Sequence, residues 1–208
     1  MSKPSLIFDL DGTLWDPSIL IASAWNRVVK RENIAFREIS SKDIRTVTGL
    51  PHDECVRVLF DGLSESDIIR LNLGTQEEDQ TTMGDSLPLF PGVMEGLAAL
   101  STSFSLYIVS NCQRGYIEKF LDRSGLRDRF IGWTCWGDTG LVKSKNLKQL
   151  ILEHGLSTCA YIGDTEGDES AAAFCNIPFY FVGYGYGIAR YPLRTFHTFP
   201  SLVDYFNH

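Results

Sequence analysis

Short apolar runs alternating with amphipathic stretches constrain this 208-residue chain more than any other feature. Residues 6–10, 106–110, 130–134, 159–163 and 179–183 are brief and nearly uninterrupted in apolar character. Strands covered on both faces read that way. Between them, apolar residues recur at helical spacing: Val93, Leu97 and Leu100; Ile117, Phe120 and Leu121; Leu147, Leu150 and Ile151. Strand and helix in alternation predict an α/β fold around a parallel sheet.

Between residues 17 and 87 the alternation stops. Ile21, Trp25, Val28 and Val29 fall at i, i+4, i+7 and i+8. Ser40 to Asp43 forms a capping signal before Ile44 and Val47. Pro51 suits the first position of a helix carrying Cys55, Val56, Leu59 and Phe60. Ser64 to Asp67 precedes Ile68, Ile69 and Leu71. The pattern predicts a small all-α domain of about four short helices, inserted into a Rossmann-like core with helices on both faces. The expected division is 17–87 for the insertion and 1–16 with 88–208 for the core, Pro17, Pro88 and Pro91 marking the crossings. The polar stretch 74–86 shows no readable ends.

Chemistry-bearing residues gather where strands end. Ligands of open α/β sheets bind at the carboxyl ends of the strands. The first strand runs into Asp9-Leu10-Asp11-Gly12-Thr13, two carboxylates and a glycine that permits a tight turn near an anion. The second runs into Ser110-Asn111, a hydroxyl beside the amides of a following helix, which suits either a phosphate seat or a plain N-cap. The fourth runs into Gly163-Asp164, with Asp168 four residues on. Clustered carboxylate oxygens suit a hard divalent cation such as Mg²⁺, although Asp164 and Thr165 could equally cap a helix. Lys143, before the helix that carries Leu147, could neutralise a phosphoryl oxygen, with Lys145 as its rival.

Composition then removes whole classes. The net charge of −7 opposes binding to a nucleic-acid backbone. No apolar stretch approaches the roughly 18 residues of a membrane span. The opening segment is too short in apolar residues for a signal peptide. Cys55, Cys112, Cys135, Cys159 and Cys175 show no paired spacing, so reduced thiols in the cytoplasm are expected. No feature fixes an oligomeric state.

The four motifs in this order resemble those of the haloacid-dehalogenase-like superfamily, in its phosphoglycolate-phosphatase-like branch with a helical cap after the first strand. The resemblance implies a Mg²⁺-dependent phosphatase acting on a small phosphorylated metabolite. By that resemblance Asp9 is the nucleophile that becomes an aspartyl phosphate, and Asp11 the acid that then serves as base. Asp9, Asp11 (through its carbonyl) and Asp164 hold the metal, with Asp168 as a further ligand or as a partner behind the ligands. Gly12, Thr13, Ser110, Asn111 and Lys143 meet the phosphoryl group, Ser110 and Lys143 belonging to the catalytic set. Asp11 argues against halide displacement, and the lack of histidine in 14–26 against a phosphosugar mutase on the same intermediate. The phosphosugar mutase and a non-catalytic phosphate-binding regulator are the alternatives that stand; Asp11 and the helical insertion count against a receiver-like module. Trp15, Gly49, His52 and Arg114 are candidates for substrate contact. Gly183-Tyr184-Gly185-Tyr186-Gly187 lacks dinucleotide spacing and is expected to form a turn at the site's rim. His154, His197 and His208 are expected on the surface.

Overall fold

The computed structural model describes residues 3–84 and 87–208. Six parallel strands stand in the order β3-β2-β1-β4-β5-β6. They are β1 (Ser5–Phe8), β2 (Ser105–Ser110), β3 (Phe130–Cys135), β4 (Cys159–Gly163), β5 (Phe179–Val182) and β6 (Arg194–Phe196). Alternation along β1, β2, β4 and β5 feeds two cores. Leu6, Phe8, Leu106, Ile108, Ile162 and Val182 face one side, where α5 (Val93–Ser103), α6 (Tyr116–Ser124) and α10 (Phe199–Asn207) pack. Ile7, Tyr107, Val109, Tyr161 and Phe179 face the other, against α8 (Lys143–Glu153) and α9 (Glu166–Cys175). A short α7 (Trp136–Thr139) follows β3.

The insertion is all helix: α1 (Ser18–Arg31), α2 (Ser41–Val47), α3 (His52–Leu59) and α4 (Glu65–Thr82). It has its own core around Trp25, Val28, Ile44, Val56, Phe60 and Leu71. Ser40 and Asp43 form the expected capping box, and Ser64 caps α4. Pro51 takes the N-cap of α3, one position before the one its sequence suggests. The two crossings lie side by side: Trp15 bridges Leu89 in antiparallel fashion, and the Asp16 amide donates to the Pro88 carbonyl at 3.0 Å.

Three features depart from the sequence expectation. The helix after Leu71 does not stop in the polar stretch but runs on to Thr82, because Thr75 and Asp79 continue the buried stripe as polar residues. The expected 74–86 segment also includes Asp85 and Ser86, which, like Met1 and Ser2, lie outside the described residues. The helix after β2 begins at Tyr116 behind Gly115, so Ser110 caps nothing and residues 111–115 form a loop. A sixth strand and a terminal helix close the sheet edge. β6 is three residues long and largely exposed, which leaves almost no apolar signature.

Candidate active site

β1 lies at the centre of the sheet, where the strand order reverses, so the loops after β1, β2 and β4 converge. Asp9 and Asp11 follow β1, Ser110 and Asn111 end or follow β2, and Asp164 follows β4. Lys143 reaches in from the start of α8, its Nζ 2.9 Å from Asp9 Oδ1 and 2.7 Å from Asp168 Oδ1. Lys145 points outward and is exposed. A lysine in the first turn of a helix opposes the helix dipole, so the two carboxylates hold Lys143 there. Against burial, which would lower it, Asp168 and Asp9 keep its ammonium well above the usual lysine range.

Asp9, Asp164 and Asp168 are buried, each offering one oxygen within 4.8 Å of the others. Burial pushes the Asp9 carboxyl up to about 6, opposed by Lys143 and reinforced by Asp168. Burial, then Asp168 and Asp9, raise Asp164 well above the carboxylate range. Asp168 has both oxygens engaged. Oδ1 accepts from Lys143, and Oδ2 accepts from the Asp164 and Thr165 amides and the Thr165 hydroxyl. Thr165 and Asp168 are also the capping box of α9; of the two residues expected to cap, Thr165 does so and Asp164 does not.

Asp11 is controlled separately. Trp15 Nε1 donates to its Oδ1 at 2.7 Å and the Tyr116 hydroxyl at 3.3 Å. Burial, then Asp9, push its carboxyl up to about 7, while those two donors pull it down. Trp15 is therefore an orienter of Asp11, itself buried against Tyr116 and Phe120.

Gly12 sits at φ +81°, and a Cβ there would stand 2.3 Å from Asp164 Oδ2. Its amide donates to the Trp15 carbonyl, the Thr13 amide to the Leu10 carbonyl, and the Thr13 hydroxyl to Asp164 Oδ1 at 3.3 Å. These two residues build the loop and hold Asp164. Gly12→Ala is expected to cost about 2–4 kcal/mol, combining a left-handed backbone with a clash against packed atoms; urea unfolding measures it. The Gly-Tyr-Gly-Tyr-Gly segment backs the same aspartate. The Tyr186 amide donates to Asp164 Oδ2 at 2.7 Å, and the Tyr184 hydroxyl to the Thr13 carbonyl at 2.8 Å.

A cavity of about 70 Å³ lies between this floor and the helical insertion. Asp9, Asp11, Ser110 and Asn111 line it from the core, and Trp25, Ile44, Gly49, His52 and Asp79 from the insertion. Asn111 Nδ2 donates to the Gly49 carbonyl at 2.7 Å, and Gln76 Nε2 to Gln113 Oε1 at 2.8 Å, tying the two parts together. Arg114 is not among the cavity-lining residues; it pairs with Asp138 at 3.3 Å. Sequence reading missed Tyr116, Gln113 and Asp79. Tyr116 and Asp79 continue buried helical stripes, four residues from Phe120 and eight from Leu71, and that spacing was their only signal. His154, His197 and His208 are exposed. No helix among the described residues is long and apolar enough to cross a membrane.

This combination of a parallel sheet, an inserted helical layer and carboxylates at the switch point has known counterparts. The haloacid dehalogenase-like hydrolase family model matches residues 6–182. A phosphoglycolate phosphatase of Synechococcus elongatus is 34% identical over 183 residues, covering 81% of this chain and 78% of that protein. One from Colwellia psychrerythraea is 30% identical over 229 residues, covering 97% and 96%. A haloacid dehalogenase-like family hydrolase of Streptococcus pneumoniae superposes with a TM-score of 0.86 at 24% identity, covering 98% of each chain. The chain belongs to the haloacid dehalogenase-like hydrolase family. Within it, the chain is a phosphatase of the phosphoglycolate-phosphatase-like branch.

Proposed function

We propose that the chain is a Mg²⁺-dependent phosphomonoesterase that works through an aspartyl phosphate on Asp9. The observation that carries this reading is the setting of Asp9, a buried carboxylate at the end of the central strand with an ammonium 2.9 Å away. The residues present fit the ion. Three buried carboxylates, Asp9, Asp164 and Asp168, each bring an oxygen within 4.8 Å of the others, and Lys143 pairs with two of them. Asp9, Asp164 and the Asp11 carbonyl would hold it, a set of hard oxygen donors. Asp168, with both oxygens engaged, instead fixes Lys143 and the Asp164 loop. When bound, Mg²⁺ supplies positive charge to phosphoryl oxygens.

The chain's own groups do the rest. Ser110 and Lys143 bind the phosphoryl oxygens, with Asn111 beside them. Asp9 attacks phosphorus; Asp11 protonates the leaving oxygen and afterwards takes a proton from the attacking water. Burial and the neighbouring Asp9 raise the Asp11 carboxyl, which suits a group that acts first as an acid. Residues 1–16 and 88–208 are assigned as the catalytic core and 17–87 as a cap that shields the first step from water. The proposed substrate is a small phosphorylated metabolite in the cytoplasm.

Phosphate release from a panel of phosphomonoesters, with Mg²⁺ and with chelator, tests the reading. Release that stops on chelation is expected; equal release without the metal overturns it. Trp15→Phe gives a finer check. Losing its hydrogen bond, which pulls the Asp11 pKa down, lets that pKa rise. Since Asp11 acts first as an acid, the alkaline limb of kcat/KM moves to higher pH, as a pH–rate profile would show.

A further inference from the structure

We propose that the cap end of this cavity is built for an uncharged, hydroxyl-bearing leaving group and discriminates against esters whose leaving group carries a carboxylate. The inference rests on the phosphomonoesterase reading and narrows its substrate class. Beyond Asp9 and Asp11, the walls are largely apolar, formed by Ile21, Trp25, Ile44 and Val47. No lysine or arginine is among the described residues lining the cavity. Nearby cations are committed elsewhere: Arg45 to Asp16, Arg114 to Asp138, and Lys143 to Asp9 and Asp168. A second anion on the substrate would enter a pocket with nothing to balance it, and burying an unpaired charge is strongly unfavourable.

The cap presents Asp79 and His52, both buried, besides Thr48 and Cys55, whose hydroxyl and thiol donate to the Ile44 and Val47 carbonyls. The protons of His52 and Asp79 can be placed from the hydrogen bonds. The Thr75 hydroxyl donates to the Leu71 carbonyl at 2.7 Å, so the Thr75 oxygen receives its 3.0 Å contact from His52 as donor, through Nε2. His52 Nδ1 then faces Asp79 Oδ2 at 3.5 Å, and Trp25 Nε1 fixes the other Asp79 oxygen at 2.9 Å. One proton between imidazole and carboxyl leaves the pair with no net charge. Burial acts in the same direction on both, holding His52 down to about 4 and Asp79 up to about 8. Across the cavity, Asn111 adds an acceptor in want of a donor. Its Nδ2 must face the Gly49 carbonyl, which leaves Oδ1 buried with no hydrogen-bond partner. A hydroxyl can donate to such groups; a carboxylate can only accept.

The deciding pair is 2-hydroxyethyl phosphate and 2-phosphoglycolate, which differ by CH₂OH against COO⁻. For the wild-type enzyme with Mg²⁺, kcat/KM is expected to favour the hydroxyethyl ester by at least about tenfold. Calorimetry on Asp9→Asn protein with Mg²⁺ is expected to show the same preference in binding. Equal values or a preference for phosphoglycolate in either measurement overturns the inference, as does failure to bind both esters. A preserved binding preference without turnover of either ester upholds the pocket inference and instead removes the proposed chemistry at Asp9.

Discussion

Asp9→Asn protein releases phosphate about 10⁴-fold or more slowly than wild type, the scale expected when a nucleophile is removed. The amide keeps the volume of the carboxyl but cannot attack phosphorus. Lys143 keeps Asp168 at 2.7 Å, so the loop framework survives the change. Stability moves the other way. Because burial raises the Asp9 pKa to about 6 in the folded protein, its ionised form is carried at a cost once the pH exceeds that value. The cost begins as the pH rises above the ordinary carboxylate range and is complete above about 6. Metal-free Asp9→Asn protein therefore melts higher than wild type at pH 8, and the two converge near pH 4. Thermal melts at the two pH values, alongside phosphate release, check both halves. A variant that is inactive because it is misfolded would show a lower melting temperature at pH 8.

Lys143→Met carries the largest expected loss of stability. Methionine approximates the stem of lysine but removes the cation that Asp9 and Asp168 share. Breaking a buried ion pair from one side costs about 3–5 kcal/mol, because the remaining charge keeps its desolvation penalty. With Lys143 gone, the Asp9 carboxyl loses the attraction that lowers its pKa, so its value rises further. The stability deficit is thus greatest at neutral and alkaline pH and shrinks as acid protonates that carboxyl. Urea unfolding at pH 5 and pH 8 reads it directly. Lys145→Met, two residues on and exposed, is expected to stay within about 0.5 kcal/mol of wild type. Equal effects from the two lysines would sink the assignment of Lys143 to the site.

β1 to β5 were legible because each is a short apolar run, a pattern local to a few residues. The helical insertion was legible from its capping signals at Ser40 and Ser64 and from the stripe through Trp25, Val28 and Val29. β6 was not, since an exposed three-residue edge strand buries too little to leave a pattern. The terminal helix did carry signals, in the Thr198 cap and in Leu202 and Val203, yet they stand beyond the last apolar run. α4 hid because Thr75 and Asp79 occupy buried positions that normally hold apolar residues.

Strand-end chemistry is a property of sequence alone. Once β1, β2 and β4 lie adjacent and parallel, Asp9, Asp11, Ser110 and Asp164 must gather at one edge of the sheet. Choices between near neighbours in sequence belong to the tertiary structure. Lys143 and Lys145 are about 200° apart around a helix, and only the packing of α8 against the sheet decides which one meets Asp9. Trp15 was a candidate for substrate contact; packing on Tyr116 and Phe120 placed its ring in the core and its Nε1 on Asp11. The environment of His52 and Asp79 depends on residues brought together from three helices of the insertion. Side-chain identity at a strand end is written in the chain, but burial, pairing and protonation arise from contacts between distant segments, which no local pattern encodes.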